Sequence, residues 1–179
     1  MNRVALGIVV VLFLVLCAGG YLYVASTTIV PESEPSLSQA DVHSTPAERT
    51  MNLFYYDPSR DQDAEGNVMC SDKGLVPVSR KIASGTPIED TIRLLLSGNL
   101  TAEERARGIT TEYPLSGLSL TSVALREGGE LRVALSDPEH RTGGGSCRVS
   151  VLWAQIRATA LQFPEVKAVS FQPEDLFQP

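Results

Sequence analysis

The hydrophobic pattern is densest near the end of the chain, where a helical period gives way to strand alternation. Between Gly143 and Pro164, apolar residues recur at the three- and four-residue spacing of one helical face: Val149, Leu152, Trp153, Ile156, Ala160 and Phe163. Ser146 can cap the start, because its hydroxyl can accept from an unpaired backbone N–H. Pro164 ends the helix, since proline has no N–H to continue the ladder. The pattern predicts a long helix followed by a strand from Val166 to Phe171.

Earlier segments also have the periods of regular structure. Met51 to Tyr56 is apolar on both faces, which predicts a strand buried between layers. Leu75 to Ile82 predicts a second strand, and Pro77 places it at a sheet edge because proline cannot donate to a ladder. Thr86-Pro87-Ile88-Glu89 predicts a helix start with a cap, a first-turn proline and a capping-box glutamate, and Gly98 ends that helix.

The middle of the chain predicts a short helix and a hairpin. Thr101 to Glu104 repeats the capping box, and Gly108 ends the short helix. Leu118 to Arg126 and Glu130 to Ser136 alternate as strands joined at Gly128-Gly129. The element order favours an α/β domain of the α+β type, a small mixed sheet with two main helices packed on one face.

The first segment predicts a membrane anchor at residues 1–26. Val4 to Ala25 is uncharged and almost wholly apolar, and about 20 helical residues span roughly 30 Å, the thickness of a bilayer core. Two alternatives stay open. Ala18-Gly19-Gly20 could be a signal-peptide cleavage site, and Cys17 could be a lipid-modified cysteine.

The flanking charges predict the orientation of this anchor. Arg3 precedes it and no Lys or Arg follows until Arg49, which places the N-terminus in the cytoplasm and the rest outside. Residues 27–49 are rich in Pro, Ser and Glu and predict a disordered tether. We therefore expect a single-pass membrane protein with an extracytoplasmic domain over residues 50–173 and a C-terminal tail over 174–179.

Charge limits the classes of partner. The formal net charge is -6, and nucleic-acid binding would need a basic stripe that the chain lacks. The membrane and an envelope protein, or a second copy of the chain, are the expected partners.

Two cysteines lie beyond the first segment, Cys70 and Cys147. Outside the cytoplasm, two thiols in one small domain are expected to form a disulfide. The alternatives are two unpaired thiols, or a reactive Cys147 whose pKa is lowered by a helix N-terminus.

An acidic stretch offers candidate calcium ligands. Asp61, Asp63, Glu65 and Asp72 have the spacing of oxygen ligands in a calcium loop, with Gly66 at the sixth position. The flanks read as strands rather than helices, so a solvated turn is the alternative. No cofactor is expected.

A hydrolase would need a nucleophile and a base within hydrogen-bond reach. Asp137, His140 and Ser146 or Ser150 are the residues from which a triad could be imagined, but they lack a nucleophile-elbow context. The residues therefore favour a protein that is not an enzyme.

Several motifs in order resemble one domain family over about residues 50 to 172. They are Leu94-Leu95-Leu96-Ser97-Gly98 with Glu103, Glu104 and Gly108; Pro114; Leu131 to Ser136; and Gln155-Ile156, Ala158-Thr159-Ala160, Phe163, Val166 and Val169. This pattern resembles the GerMN domain family, the sporulation and spore-germination domain. The resemblance implies a small α/β domain tethered to the outer face of a bacterial membrane, with a non-catalytic role in envelope assembly or protein interaction. It implies no catalytic residues. A cell-wall-fragment or calcium-binding module is the alternative, and an envelope hydrolase a further one.

Overall fold

A computed structural model describes residues 48–83 and 85–178, which belong to one compact unit, Ser44–Pro179. The elements in chain order are β1 Glu48–Tyr56, β2 Leu75–Ala83, α1 Pro87–Leu96, α2 Ala102–Ala106, β3 Ser119–Leu125, β4 Glu130–Ser136, α3 Ser146–Leu161 and β5 Ala168–Gln172. The predicted anchor, Cys17 and the tether up to residue 47 lie outside the described residues. Within the described ranges, no helix has the length and hydropathy needed to cross a bilayer.

The strands form two sheets, so the prediction of one small sheet was wrong. β1 pairs antiparallel with β2. The second sheet has the order β3-β4-β5, with β4 antiparallel to β3 and parallel to β5, so it is mixed as predicted. Beyond β2, the ladder of β1 continues only as one bridge, in which the backbone groups of Tyr56 and Thr110 bond at 3.1 and 2.7 Å.

Side chains from the end of α3 and from its C-cap residue, Gln162, occupy the edge of β1 where a third strand would pair. The amide of Gln162 accepts from Asn52 N at 2.9 Å and donates to Asn52 O at 2.7 Å. The hydroxyl of Thr159 accepts from Phe54 N at 3.0 Å. Because these backbone groups are already paired, β1 cannot add a strand there. This explains why β1 and β2 do not join β3, β4 and β5 in one continuous sheet.

The core lies between the two sheets and the longer helices α1 and α3. The core residues with 0–1 % exposure come from every one of these layers: Leu53, Tyr55, Ile92, Leu95, Leu131, Val133, Leu152, Ile156 and Ala160. Phe177, in the predicted tail, is also buried and packs edge-on against Phe171 with ring centroids 4.8 Å apart.

Several predicted boundaries differ in detail. β1 begins at Glu48, two residues inside the predicted tether. Gly145 is the N-cap of α3, so Ser146 is the first helical residue rather than the cap. The capping box of α2 is present, with Glu104 N donating to the Thr101 hydroxyl at 3.2 Å and Thr101 N donating to the Glu104 carboxylate at 2.8 Å.

Candidate functional site

An open groove of about 770 Å³, which we call the β5 groove, is the candidate site. It lies between the first half of α3, strands β4 and β5, and the segment that follows β5. Its lining mixes aromatic, apolar and polar side chains, among them Arg132, Val149, Trp153, Ser170, Phe171 and Phe177. A concave surface with a few polar groups among apolar ones is the usual form of a binding site.

Trp153 is the only tryptophan of the chain and lines this groove. It is half-buried and packs against the core, so it lies at the margin of the apolar face that the sequence predicted. The Arg157 guanidinium lies 5.3 Å from the centre of its ring, and Arg157 Nη1 lies 3.5 Å from the Asp72 carboxylate. One signal could have identified it: Ser146, Ser150, Trp153 and Arg157 follow at spacings of four, three and four, which is a polar helical face.

A second groove of about 560 Å³ lies between the start of α3 and the segment Thr110–Glu112. Gln155, at its floor, is fully buried. Its Nε2 donates to Val151 O at 3.2 Å, whereas its Oε1 has no hydrogen-bond partner within the described part of the chain. Sequence reasoning placed Gln155 in a motif but gave it no role.

The predicted disulfide is present between Cys70 and Cys147, with the two Cα atoms 5.2 Å apart. It joins the acidic loop to the first turn of α3, so Cys147 is not a free thiol in this structure. The Asp72–Arg157 pair holds the same loop nearly three turns further along the helix. Val68 and Met69, just before the disulfide, are 42 % and 57 % exposed.

The four candidate calcium ligands do not converge. Asp61 is buried, and its carboxylate accepts from the Tyr56 hydroxyl at 2.6 Å and from Ser71 N and Oγ at 2.5 and 2.6 Å. Burial opposes ionisation, but these hydrogen bonds outweigh it and lower the pKa of Asp61. The exposed Asp63 accepts from Glu65 N and Asn67 N within its own turn.

These carboxylates therefore stabilise the loop. Across residues 48–83 and 85–178, no three His, Cys, Asp or Glu side chains are grouped closely enough to hold a metal ion. The spacing of these carboxylates did not predict a calcium loop, because β1 and β2, rather than two helices, flank the segment.

The imagined triad is not assembled either. The Asp137 carboxylate accepts from Arg141 N, Thr142 N and the Thr142 hydroxyl, each at 2.8 Å. Burial opposes this ionised state, but the hydrogen bonds lower the pKa of Asp137. His140 is bound to Asp137 only through its backbone N–H, so Asp137 organises a turn rather than orienting a base.

The most buried ion pair also has a structural role. The Arg80 guanidinium donates to both oxygens of the Glu104 carboxylate at 2.9 and 2.6 Å, and these side chains are 16 % and 10 % exposed. The Arg80 hydrogen bonds are the main cause that lowers the pKa of Glu104. Arg80 also bonds the backbone carbonyls of Ser79 and Asn99, so the pair joins β2 to the α1–α2 connection.

Comparison with known proteins gives one family and one related structure. A family model described as Germane, sporulation and spore germination, matches residues 52–175. A search of curated proteins gave no match. Among solved structures, the tandem GerMN domains of the sporulation protein GerM from Bacillus subtilis match with 16 % identity and a TM-score of 0.47. That match covers 72 % of this chain and 40 % of the other, so the chain spans less than half the length of its structural relative.

Proposed function

This chain belongs to the Germane family of sporulation and spore-germination domains, and from that premise we propose that it is a non-catalytic protein-interaction module of the bacterial cell envelope. The residues 1–26 anchor it in the cell membrane with the N-terminus in the cytoplasm. The domain then acts on the outer side, where it takes part in envelope assembly.

The observation that carries the proposal is the contrast between two sets of groups. The charged side chains best placed for chemistry are engaged in bonds that hold the fold, as for Asp61, Glu104 and Asp137. The β5 groove is instead open and uncommitted, and it presents Trp153 and Phe171 beside polar groups. Aromatic side chains at a concave surface are typical anchors of protein interfaces.

The outer edge of β2, which Pro77 led us to place at a sheet edge, is less suited to partner binding than the β5 groove. Pro77 removes one donor from its outer side, Arg80 occupies the Ser79 carbonyl at 2.9 Å, and Lys81 is exposed. Proline and lysine are the residues with which natural edge strands resist pairing. We therefore place the interaction surface at β5 rather than β2.

Site-specific photo-crosslinking in living cells tests the proposal. A photoreactive residue at the exposed Ser150, beside the groove, should give a discrete cross-linked product containing an envelope protein or a second copy of the chain. The same residue at the exposed Glu48, which does not line the groove, is the control. Equal labelling at both positions, or none at Ser150, would contradict the interaction role.

A cell-wall-fragment-binding module is the second candidate. The observation that favours it is Trp153, whose indole lies among polar side chains in a groove large enough for a small ligand. Because Trp153 is the only tryptophan, its fluorescence reports on the groove without further labels. A saturable change in this fluorescence on titration with soluble peptidoglycan fragments, absent from the tryptophan-free Trp153→Phe control, supports this candidate. An unchanged spectrum of the wild type excludes it.

The orientation of the anchor is tested separately. Alkaline phosphatase fused after Pro179 should be active, because that enzyme requires an oxidising compartment for its own disulfides. An inactive fusion, with the domain intact, would place the chain in the cytoplasm and contradict the location.

A further inference from the structure

The outer edges of the two sheets are protected to very different degrees. The edge of β1 is bonded by Thr159 and Gln162, and β2 carries Pro77 and Lys81. The pairing of β3 is interrupted by a register shift between Leu120 and Ser122. Bulges, prolines and lysines are the means by which proteins prevent unwanted strand addition. β5, with the sequence AVSFQ, has no proline, no charge and no register shift.

Hydrogen bonds on the other side of β4 show which β5 groups face outward. Arg126 N donates to Glu130 O at 2.8 Å, so the backbone groups of Glu130 face β3. By alternation, those of Leu131 and Val133 face β5. In the parallel register, Ser170 lies beside Arg132, and its backbone groups bond to Leu131 and Val133. The N–H and C=O groups of Val169 and Phe171 therefore point away from the sheet.

These outward groups have no hydrogen-bond partner within the described ranges. Unpaired N–H and C=O groups in a row are matched by an extended backbone. Ala168 and Gln172, at the ends of the strand, are exposed, so β5 is accessible from its edge. An extended strand would match the spacing of these outward groups.

We infer that β5 pairs antiparallel with β5 of a second copy, around a two-fold axis at Ser170. This rests on the proposed interaction role and names its partner and surface. The arrangement puts Val169 opposite Phe171 of the second copy, so all four outward groups of each chain find partners in four hydrogen bonds. The two three-stranded sheets then become one sheet of six strands.

The charges that flank β5 fit a symmetric partner. Lys167 precedes the strand and Glu174 follows it, so antiparallel pairing brings Lys167 of one copy near the Pro173–Glu174 turn of the other.

A cysteine at the axis tests the pairing in the full-length protein in its membrane. Directly opposed residues without mutual backbone bonds have Cα atoms about 4.5 Å apart, which suits a disulfide. Ser170→Cys, in a Cys17→Ser background, should give an oxidised dimer in non-reducing gels. Ala134→Cys, one strand inward, is the control, since three strand spacings of about 4.8 Å are too far to bridge.

A pair of charge variants tests the register. Antiparallel pairing puts Ala168 opposite Gln172 of the second copy, and both side chains are exposed. Ala168→Lys with Gln172→Lys opposes like charges twice and should lower the Ser170→Cys cross-link yield roughly tenfold. Ala168→Lys with Gln172→Glu opposes unlike charges and should keep the yield. The two variants differ only in the sign of one residue, so their folding is matched.

Absence of the Ser170→Cys dimer, or equal yields from both charge variants, overturns the self-pairing. A ladder of higher oligomers would instead indicate β5 pairing with β3, which also overturns it. If the Ser150 photo-crosslink still captures an envelope protein, the interaction role stands although the self-pairing has failed. If neither cross-link forms, both fail.

Discussion

The hydroxyl of Thr159 offers the sharpest test of how the domain is held together. Thr159 is fully buried, and its Oγ1 accepts from Phe54 N at 3.0 Å. Thr159→Val keeps the shape of the side chain but removes the acceptor. The Phe54 N–H is then left without its partner beside the fully buried Thr159 side chain.

The expected cost follows from that orphaned donor. A buried backbone N–H without an acceptor costs about 1–3 kcal/mol, and we expect Thr159→Val to lower the free energy of unfolding by about 2 kcal/mol. For a domain of this size, that corresponds to a fall in Tm of roughly 6–10 °C. Thr159→Ser is the matched control: it keeps the acceptor and loses one methyl group, which costs about 1 kcal/mol.

Urea titration followed by circular dichroism measures the free energy, and amide hydrogen exchange measures the local effect. In Thr159→Val, exchange at Phe54 should accelerate more than exchange at Leu53, whose N–H faces β2. If Thr159→Val is no less stable than Thr159→Ser, or if Phe54 exchange is unchanged, the side-chain bond does not hold the edge of β1 and the reasoning is refuted.

Three further predictions concern other fixed points of the fold. Replacing Cys70 and Cys147 by Ala should lower the free energy of unfolding by about 4 kcal/mol, since the disulfide closes a loop with a sequence separation of 77; unfolding with and without reductant measures it, and an unchanged Tm would contradict it. Arg80→Met should cost about 3 kcal/mol because it leaves the buried Glu104 carboxylate uncompensated. Since the folded pKa of Glu104 is lowered, its contribution is present above its ordinary pKa near 4.5 and is lost as pH falls through the lower folded value; acid titration of stability should show a flatter loss in Arg80→Met than in wild type. Gly98→Ala should be strongly destabilised, because Gly98 has φ +66° and a Cβ there would collide with the Tyr113 carbonyl; Gly85→Ala, where a Cβ meets no atom within 4 Å, is the matched control in the same thermal scan.

Local signals predicted most elements because they act within one turn or one strand. The capping box at Thr101 and Glu104 defines α2, and the Gly128-Gly129 pair defines the β3–β4 turn. The mixed three-stranded sheet follows from the hairpin and the helical crossover to β5. What the sequence did not show was the division into two sheets, because it depends on Thr159 and Gln162 reaching β1 from more than 100 residues away.

The candidate site was predicted less well, for a related reason. The Cys70–Cys147 pair could be expected because only two cysteines lie beyond the first segment. The carboxylates of the acidic loop were misread, since spacing does not show that Asp61 turns inward to Tyr56 and Ser71. The free edge of β5 depends on the order of strands in the sheet, so the sequence AVSFQ alone could not show it.

The bonds between β1 and α3 also constrain how the chain can be made. Asn52 and Gln162 are 110 residues apart, so the first strand cannot acquire its final partners until almost the whole domain has been synthesised. Closing such long-range contacts slows folding, because chain entropy must be lost before they form. A nascent domain would hold β1 with an open edge throughout its emergence, and a chain truncated before α3 would keep that edge open permanently. Until α3 has been synthesised, the edge of β1 therefore stays open to pairing with another chain.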